Sequence, residues 1–245
     1  MVRTVKNDMA KMFSSYHIYL CILAWGSICT FSCWKYMSEQ IYSGKLVSCL
    51  NYMFGDAVSL YCFLACVIGG SFLYCAEEKH RYLQFEIQRI GVKKYTGSKL
   101  CVSYIGGFLV VLLGTIQTIL LIYLLFYSGE EDWTAIWGGM EEVHAFAWTV
   151  LGRCMMCGML SAMGYLTAIF YANFYVAMTV PIIAYYAALV SSNFVPIPKH
   201  IQFHRVYLYM NSSAKLIYAC MYSLCLLVIF YMIAVYRTQR RLEHA

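Results

Sequence analysis

Several short patterns in this chain combine residue types and spacings that chemistry can use. Residues 91–99, GVKKYTGSK, bring glycines, hydroxyls and lysines together as a phosphate-cradling loop does. Such a loop requires G-x-x-x-x-G-K-[ST] between a strand and a helix, so that backbone amides wrap phosphate and the lysine reaches its outer oxygens. Here five residues, not four, separate Gly91 from Gly97, Ser-Lys replaces Lys-Ser, and no strand pattern comes before. The run is not read as a nucleotide site.

Three other patterns fail on similar grounds. Cys154-Met-Met-Cys157 has redox spacing, but it falls inside an apolar run, away from the water that thiolate chemistry needs. His200 and His204 stand at i and i+4, which suits a shared metal, yet Ile201 takes the place of the zincin glutamate and no third ligand is evident. Glu141-Glu142 precedes an apolar run as in glutamate-type intramembrane proteolysis, which would want an arginine four residues after the second glutamate; Phe146 is there instead. No metal site and no catalytic residue is assigned.

The elements that must carry any function are set by composition. The chain has 245 residues, 62% of them hydrophobic and 12% charged, with only three prolines and a mean hydropathy of +0.62. Soluble domains run near one quarter charged, so this is a membrane protein. A helix needs about 20 apolar residues to cross about 30 Å of hydrocarbon. Residues 16–36, 52–75, 100–127, 146–171, 174–195 and 215–236 meet that length, which predicts six spans. Their apolarity is continuous and does not alternate, which favours helices over barrel strands. The predicted fold is all-α and polytopic, one transmembrane domain over residues 1–245.

Lysine and arginine orient it. With both termini cytoplasmic, twelve of the eighteen basic residues fall on inner segments, six of them at Lys79, Arg81, Arg89, Lys93, Lys94 and Lys99. Residues 128–142, SGEEDWTAIWGGMEE, hold five acids and no base, as an outer loop would. The first span is too long for a signal-peptide core and lacks a small-x-small cleavage site, so it is read as retained. The net charge of +6 follows from this topology and does not indicate nucleic-acid binding. The twelve cysteines lie in or beside the spans as small packing residues, except Cys49, which lies in an outer loop with no obvious partner. Asp56 and Arg153 are the formal charges placed deepest in spans, both toward the outer leaflet, and are expected either to pair or to snorkel. Pro181 should kink the fifth span, and residues 196–211 should form a short outer helix or re-entrant element.

Polarity concentrates in residues 77–99, where nine charges and a histidine occupy 23 positions. Leu83, Ile87 and Ile90 form one helical stripe, with Arg81, Gln84, Gln88 and Arg89 opposite. Glu77 and Glu78 open the charged stretch and Lys93 and Lys94 close it, as a helix dipole favours; Gly91 should end the helix. At the N-terminus, Val5, Met9, Met12 and Phe13 share a face while Lys6, Asp8 and Lys11 lie elsewhere, the pattern of an interfacial helix on the inner leaflet.

An N-terminal amphipathic piece, six spans and this second inner loop together resemble the membrane subunits of type-2 ABC exporters. The loop residues that carry the resemblance are 72–74, Glu77, Glu78, Ile87, Arg89, Gly91, Lys94, Tyr95, Ser98 and Lys99. The resemblance implies a cytoplasmic coupling helix between spans two and three that docks on a separate ATPase subunit. Glu77, Glu78, Arg81, Glu86 and Arg89 would carry contacts or intrasubunit pairing at that junction. It also implies that ATP and Mg are bound by the partner ATPase, because no inner segment of this chain is long enough to bury a core of its own. A second permease, identical or related, and the lipid bilayer complete the expected partners. The expected cargo is a hydrophobic or amphipathic molecule, an antimicrobial peptide among the possibilities, with bacteriocin export or immunity as the setting. A stand-alone channel or membrane scaffold without an ATPase is the rival reading.

Overall fold

A computed structural model of the protein describes residues 2–39, 46–52, 54, 56–79, 82–126, 128, 136–137, 139–171, 173–194, 198, 202–208, 210 and 212–243. The described chain is helical, with no strand among the described residues. The helices are α1 (Val2–Ser14), α2 (Tyr16–Glu39), α3 (Leu46–Tyr52), α4 (Asp56–Lys79), α5 (Tyr82–Ile90), α6 (Val92–Phe126), α7 (Met140–Tyr171), α8 (Phe174–Phe194), α9 (Phe203–Leu208) and α10 (Ser213–Glu243).

Local chemistry sets the breaks. The Ser15 hydroxyl accepts from the His17 amide at 3.4 Å and opens α2, and the Asn173 side chain accepts from the Tyr175 amide at 2.9 Å and opens α8. Gly91 has φ 84°, a left-handed value that costs glycine little. Its amide donates to the Ile87 carbonyl at 2.8 Å, and its own carbonyl accepts from Tyr95 at 3.0 Å. One glycine therefore ends α5 and begins α6. Glu141 and Glu142 lie in the first turn of α7, and Arg240 and Arg241 in the last turn of α10, each matched to the helix dipole.

Among the described residues, five helices are long and apolar enough to cross a membrane: those spanning Tyr16–Met37, Val92–Phe126, Met140–Tyr171, Phe174–Ser192 and Ser213–Arg241; α4, at the second of the six expected spans, is not one of them. The protein is thus a multi-pass helical membrane protein by length and composition. Helix α4, where sequence reading put the second span at residues 52–75, is 24 residues long, and its helix starts at Asp56 and runs on to Lys79. Helix α6 starts at Val92, earlier than the expected 100, because residues 92–99, VKKYTGSK, are helical and form its first turns. Within residues 196–211, where a short helix or re-entrant element was expected, the described residues form the short helix α9.

Helix α7 is the hub, touching α3, α4, α6, α8, α9 and α10. Its most apolar stretch is 78% buried, against 11% for that of α10, which leaves most of α10 to face lipid. Small residues allow the close contacts. A Cβ on Gly107 of α6 would lie 2.5 Å from the Ser161 Cβ of α7, so only glycine fits there. One turn away, Ser103 and Ser161 each donate to the other's carbonyl oxygen at 2.8 Å, which closes the seam with satisfied hydroxyls. At the far end, the carbonyl of Tyr207 in α9 rests on Gly152 of α7, where a Cβ would meet it at 2.0 Å. Among the cysteines, Cys157 meets Cys62 of α4, sulfur to sulfur at 3.5 Å.

Candidate functional site

The most concentrated polar chemistry lies at the end of the bundle where α1, the end of α4, α5 and the start of α6 converge. Each element contributes for a local reason. Helix α1 carries Asp8 one turn from Met12 and Val5, so its carboxylate turns inward with the apolar stripe and is 3% exposed. Helix α4 runs past its apolar stretch to deliver Glu77. Helix α5 buries Ile87, at 3% exposure, and so brings the neighbouring Glu86 to the junction. Helix α6 supplies Lys99 and Ser98, both buried, together with Tyr95.

These side chains form one knot. Lys99 Nζ donates to Asp8 Oδ1 at 2.9 Å, also bonds Glu77 Oε1, and lies 3.9 Å from Glu86 Oε2. Lys11 Nζ bonds Glu86 and lies 3.5 Å from Glu77 Oε1. The Ser98 hydroxyl donates to Asp8, and the Tyr95 hydroxyl to Glu77 Oε2 at 2.9 Å. Partial burial lowers the Lys11 pKa, but its hydrogen bond to Glu86 and the charges of Glu77, Glu86 and Asp8 outweigh burial and hold it above its ordinary value. Asp8, Glu77 and Glu86 are close enough to share a metal ion. The Lys99 ammonium already provides the positive charge at their centre, so the arrangement acts as a structural ion cluster. An apolar shell of Tyr74, Ile87, Tyr95, Leu100 and Tyr165 surrounds it. The cluster ties α1, α4, α5 and α6 together.

The outward side of α5 is different. Phe85 is 71% exposed, and Gln88 and Arg89, one turn on, are exposed as well. An aromatic ring flanked by polar groups therefore points away from the bundle.

The residues singled out from sequence separate into distinct places. Glu77 and Glu86 sit inside the knot, and Arg89 lies on the outer side of α5. Arg81 falls outside the described residues, as does the side chain of Glu78 in the last turn of α4. Arg153 is at the opposite end of the bundle, where Nη2 donates to the Phe54 carbonyl at 3.0 Å and the guanidinium lies 5.6 Å from the centre of the Phe54 ring. Asp56 begins α4 two residues later, but its side chain lies outside the described residues, and so does the expected Asp56 to Arg153 contact. His200 is also outside them; His204 is on α9.

Sequence reading set Asp8 and Lys11 away from the apolar face of α1 and counted Lys99 among the inner charges; the structure corrects this for Asp8, which turns inward, and adds that Lys99 is buried. A signal was present: Asp8 is the one acid in α1 and lies beside Met12 and Val5 on a helical wheel. Cys49 also needs correcting, since it does have a neighbour, Cys33 near the end of α2.

Comparison with protein-family models, with curated proteins and with solved structures finds no match to this chain.

Proposed function

We propose that this chain is the membrane subunit of an ATP-driven exporter of the type-2 ABC class. In this reading α4 is the second of six spans, both termini are cytoplasmic, and α5 is the coupling helix. Two copies, or one copy and a related permease, form the translocator, and a separate pair of ATPase subunits binds ATP and Mg. The cargo is hydrophobic or amphipathic, which includes antimicrobial peptides.

The observation that carries this reading is the two-sidedness of α5. One side is locked into the bundle through Ile87 and Glu86, and the other offers Phe85, Gln88 and Arg89 to the aqueous phase. A helix that only reversed the chain direction would need no exposed aromatic ring, whereas a helix pressed into a groove on a motor protein would use one as its anchor. The ion cluster supports the same reading, because a push on α5 reaches α6 and α1 as a rigid-body shift.

The test is to ask whether a neighbouring gene encodes a soluble protein with both nucleotide-binding motifs, to co-express that protein with this chain, and to measure co-purification and cargo-stimulated ATP hydrolysis. Phe85→Ala and Arg89→Glu should weaken the complex or uncouple hydrolysis from transport while the permease still folds. A chain that purifies without any ATPase and transports unchanged with both substitutions would instead fit a stand-alone channel or scaffold.

A further inference from the structure

Cys33 lies one turn before the end of the apolar stretch of α2, and Cys49 lies in α3, the seven-residue helix that packs back against α2. Both are fully buried. The Cys33 thiol donates to the Cys49 carbonyl at 3.5 Å, and the Cys49 thiol donates to the Cys33 carbonyl at 3.6 Å. This reciprocity means that the two residues face one another, each sulfur beside the other's backbone. Each sulfur thus lies within 3.6 Å of the other residue's backbone, which brings the two cysteines side by side.

We propose that Cys33 and Cys49 form a disulfide bond that staples α3 to the end of α2. The proposal rests on the sidedness given above, which puts this end of the bundle outside the cytoplasm, where disulfides persist; it does not rest on transport. The oxidant is an external disulfide, carried by a protein or a small molecule. A thiolate of the pair, having released its proton, attacks that disulfide, forms a mixed disulfide and expels one thiol. The second cysteine, losing its proton, attacks the mixed disulfide and expels the other thiol. The cysteine pair is oxidised by two electrons and the external disulfide is reduced to two thiols.

Cys62 and Cys157 provide an internal contrast. Their sulfurs are also close, at 3.5 Å, but both residues are on long helices in the middle of the bundle. Cys49 is on a short helix outside the apolar stretches, and a local undocking of α3 exposes it.

The experiment uses the full-length protein in membranes of the expressing cells. Free thiols are blocked with N-ethylmaleimide under denaturing conditions, the protein is digested, and peptides are analysed by mass spectrometry with and without reductant. The expected result is a linked pair of peptides carrying Cys33 and Cys49, released by reductant, while Cys62 and Cys157 are alkylated. Cys33→Ser should leave Cys49 alkylated, and Cys49→Ser should leave Cys33 alkylated. Reductant should lower the heat-denaturation midpoint of the unsubstituted protein by roughly 5–10 °C and leave that of the double serine variant unchanged. In parallel, an epitope inserted between Gly44 and Lys45 is probed with antibody on intact cells. An accessible epitope with both cysteines alkylated overturns the disulfide and leaves the functional reading standing. An epitope reached only after permeabilisation overturns the sidedness and, with it, both proposals.

Discussion

Lys99 and Asp8 meet at 2.9 Å across 91 residues of chain, with 2% of the lysine side chain and 5% of the aspartate side chain exposed. The same ammonium bonds Glu77 and approaches Glu86, so it is the one buried cation among three carboxylates. Removing one member of a buried ionic group leaves the others desolvated and uncompensated, which costs about 3–5 kcal/mol. Lys99→Met should therefore destabilise strongly, read as a lowered unfolding midpoint in lipid nanodiscs. Lys11, 44% exposed, pairs with the outer side of the same cluster, and Lys11→Met should cost only about 0–1 kcal/mol. Equal losses for the two variants would mean that the knot is not organised around Lys99. Added salt should not reproduce the Lys99 loss, since buried pairs are screened little.

Gly152 is where α9 rests on α7. Its missing side chain leaves room for the backbone oxygen of Tyr207, which a Cβ would approach to 2.0 Å. Backbone cannot give way as a flexible side chain can, so Gly152→Ala should lift α9 from the bundle and cost about 1–3 kcal/mol. Gly139 has nothing within 4 Å of such a Cβ, and its carbonyl accepts from the Glu142 amide at the start of α7. Gly139→Ser should fall within about 0.5 kcal/mol of the parent. Proteolysis of the segment around α9 would report its release in the first variant only.

Across the α6/α7 seam, Ser103 and Ser161 exchange hydroxyl-to-carbonyl hydrogen bonds. In membrane proteins such contacts average about 0.6 kcal/mol and reach about 1.7 kcal/mol. Ser103→Ala and Ser161→Ala should each cost an amount in that range. Because the two hydroxyls also lie 3.2 Å apart, the double variant should lose less than the sum of the singles. A strictly additive cycle would show the two bonds to be independent.

His204 on α9 has its pKa lowered by burial and, second, by the charge of Arg205. A folded-state pKa below the ordinary 6.5 means that the unfolded chain takes up the proton first as pH falls. The contribution is fully present above the unfolded value and is lost as pH falls through 6.5 toward the folded one. His204→Gln should flatten that part of the stability-against-pH curve, measured as unfolding midpoints between neutral and mildly acid pH. An unchanged acid slope would remove His204 as its source.

Phe85 should separate folding from function. At 71% exposure its ring contributes little to the bundle, and Phe85→Ala should change stability by no more than about 0.5 kcal/mol. On the proposed exporter reading, binding to an ATPase partner should fall far more, since a buried aromatic anchor at an interface is worth about 2 kcal/mol or more. A pull-down titration against the purified ATPase checks this, with the unfolding midpoint as control.

One-dimensional apolarity was enough to determine a helical membrane protein, because every backbone amide in hydrocarbon must bond within its own helix and any run of about 20 apolar residues is a candidate span. The amphipathic helix closed by Gly91 was legible for a related reason: period and glycine are local properties. Helix ends were less legible; α6 began several residues early because polar residues such as the lysines and glycine of its first turns can be helical, so a fall in apolarity does not mark where a helix starts. What only the tertiary structure decided was which charges are buried. Lys99 reads as one more basic residue of an inner loop, and Asp8 as part of a polar face, until packing brings α1, α4, α5 and α6 to one point. The pairing of Cys33 with Cys49 is of the same kind, since it depends on where α3 folds back. Apolar burial is encoded by position within a helix, whereas electrostatic and thiol partnerships are encoded by contacts between helices, and those exist only once the bundle has formed.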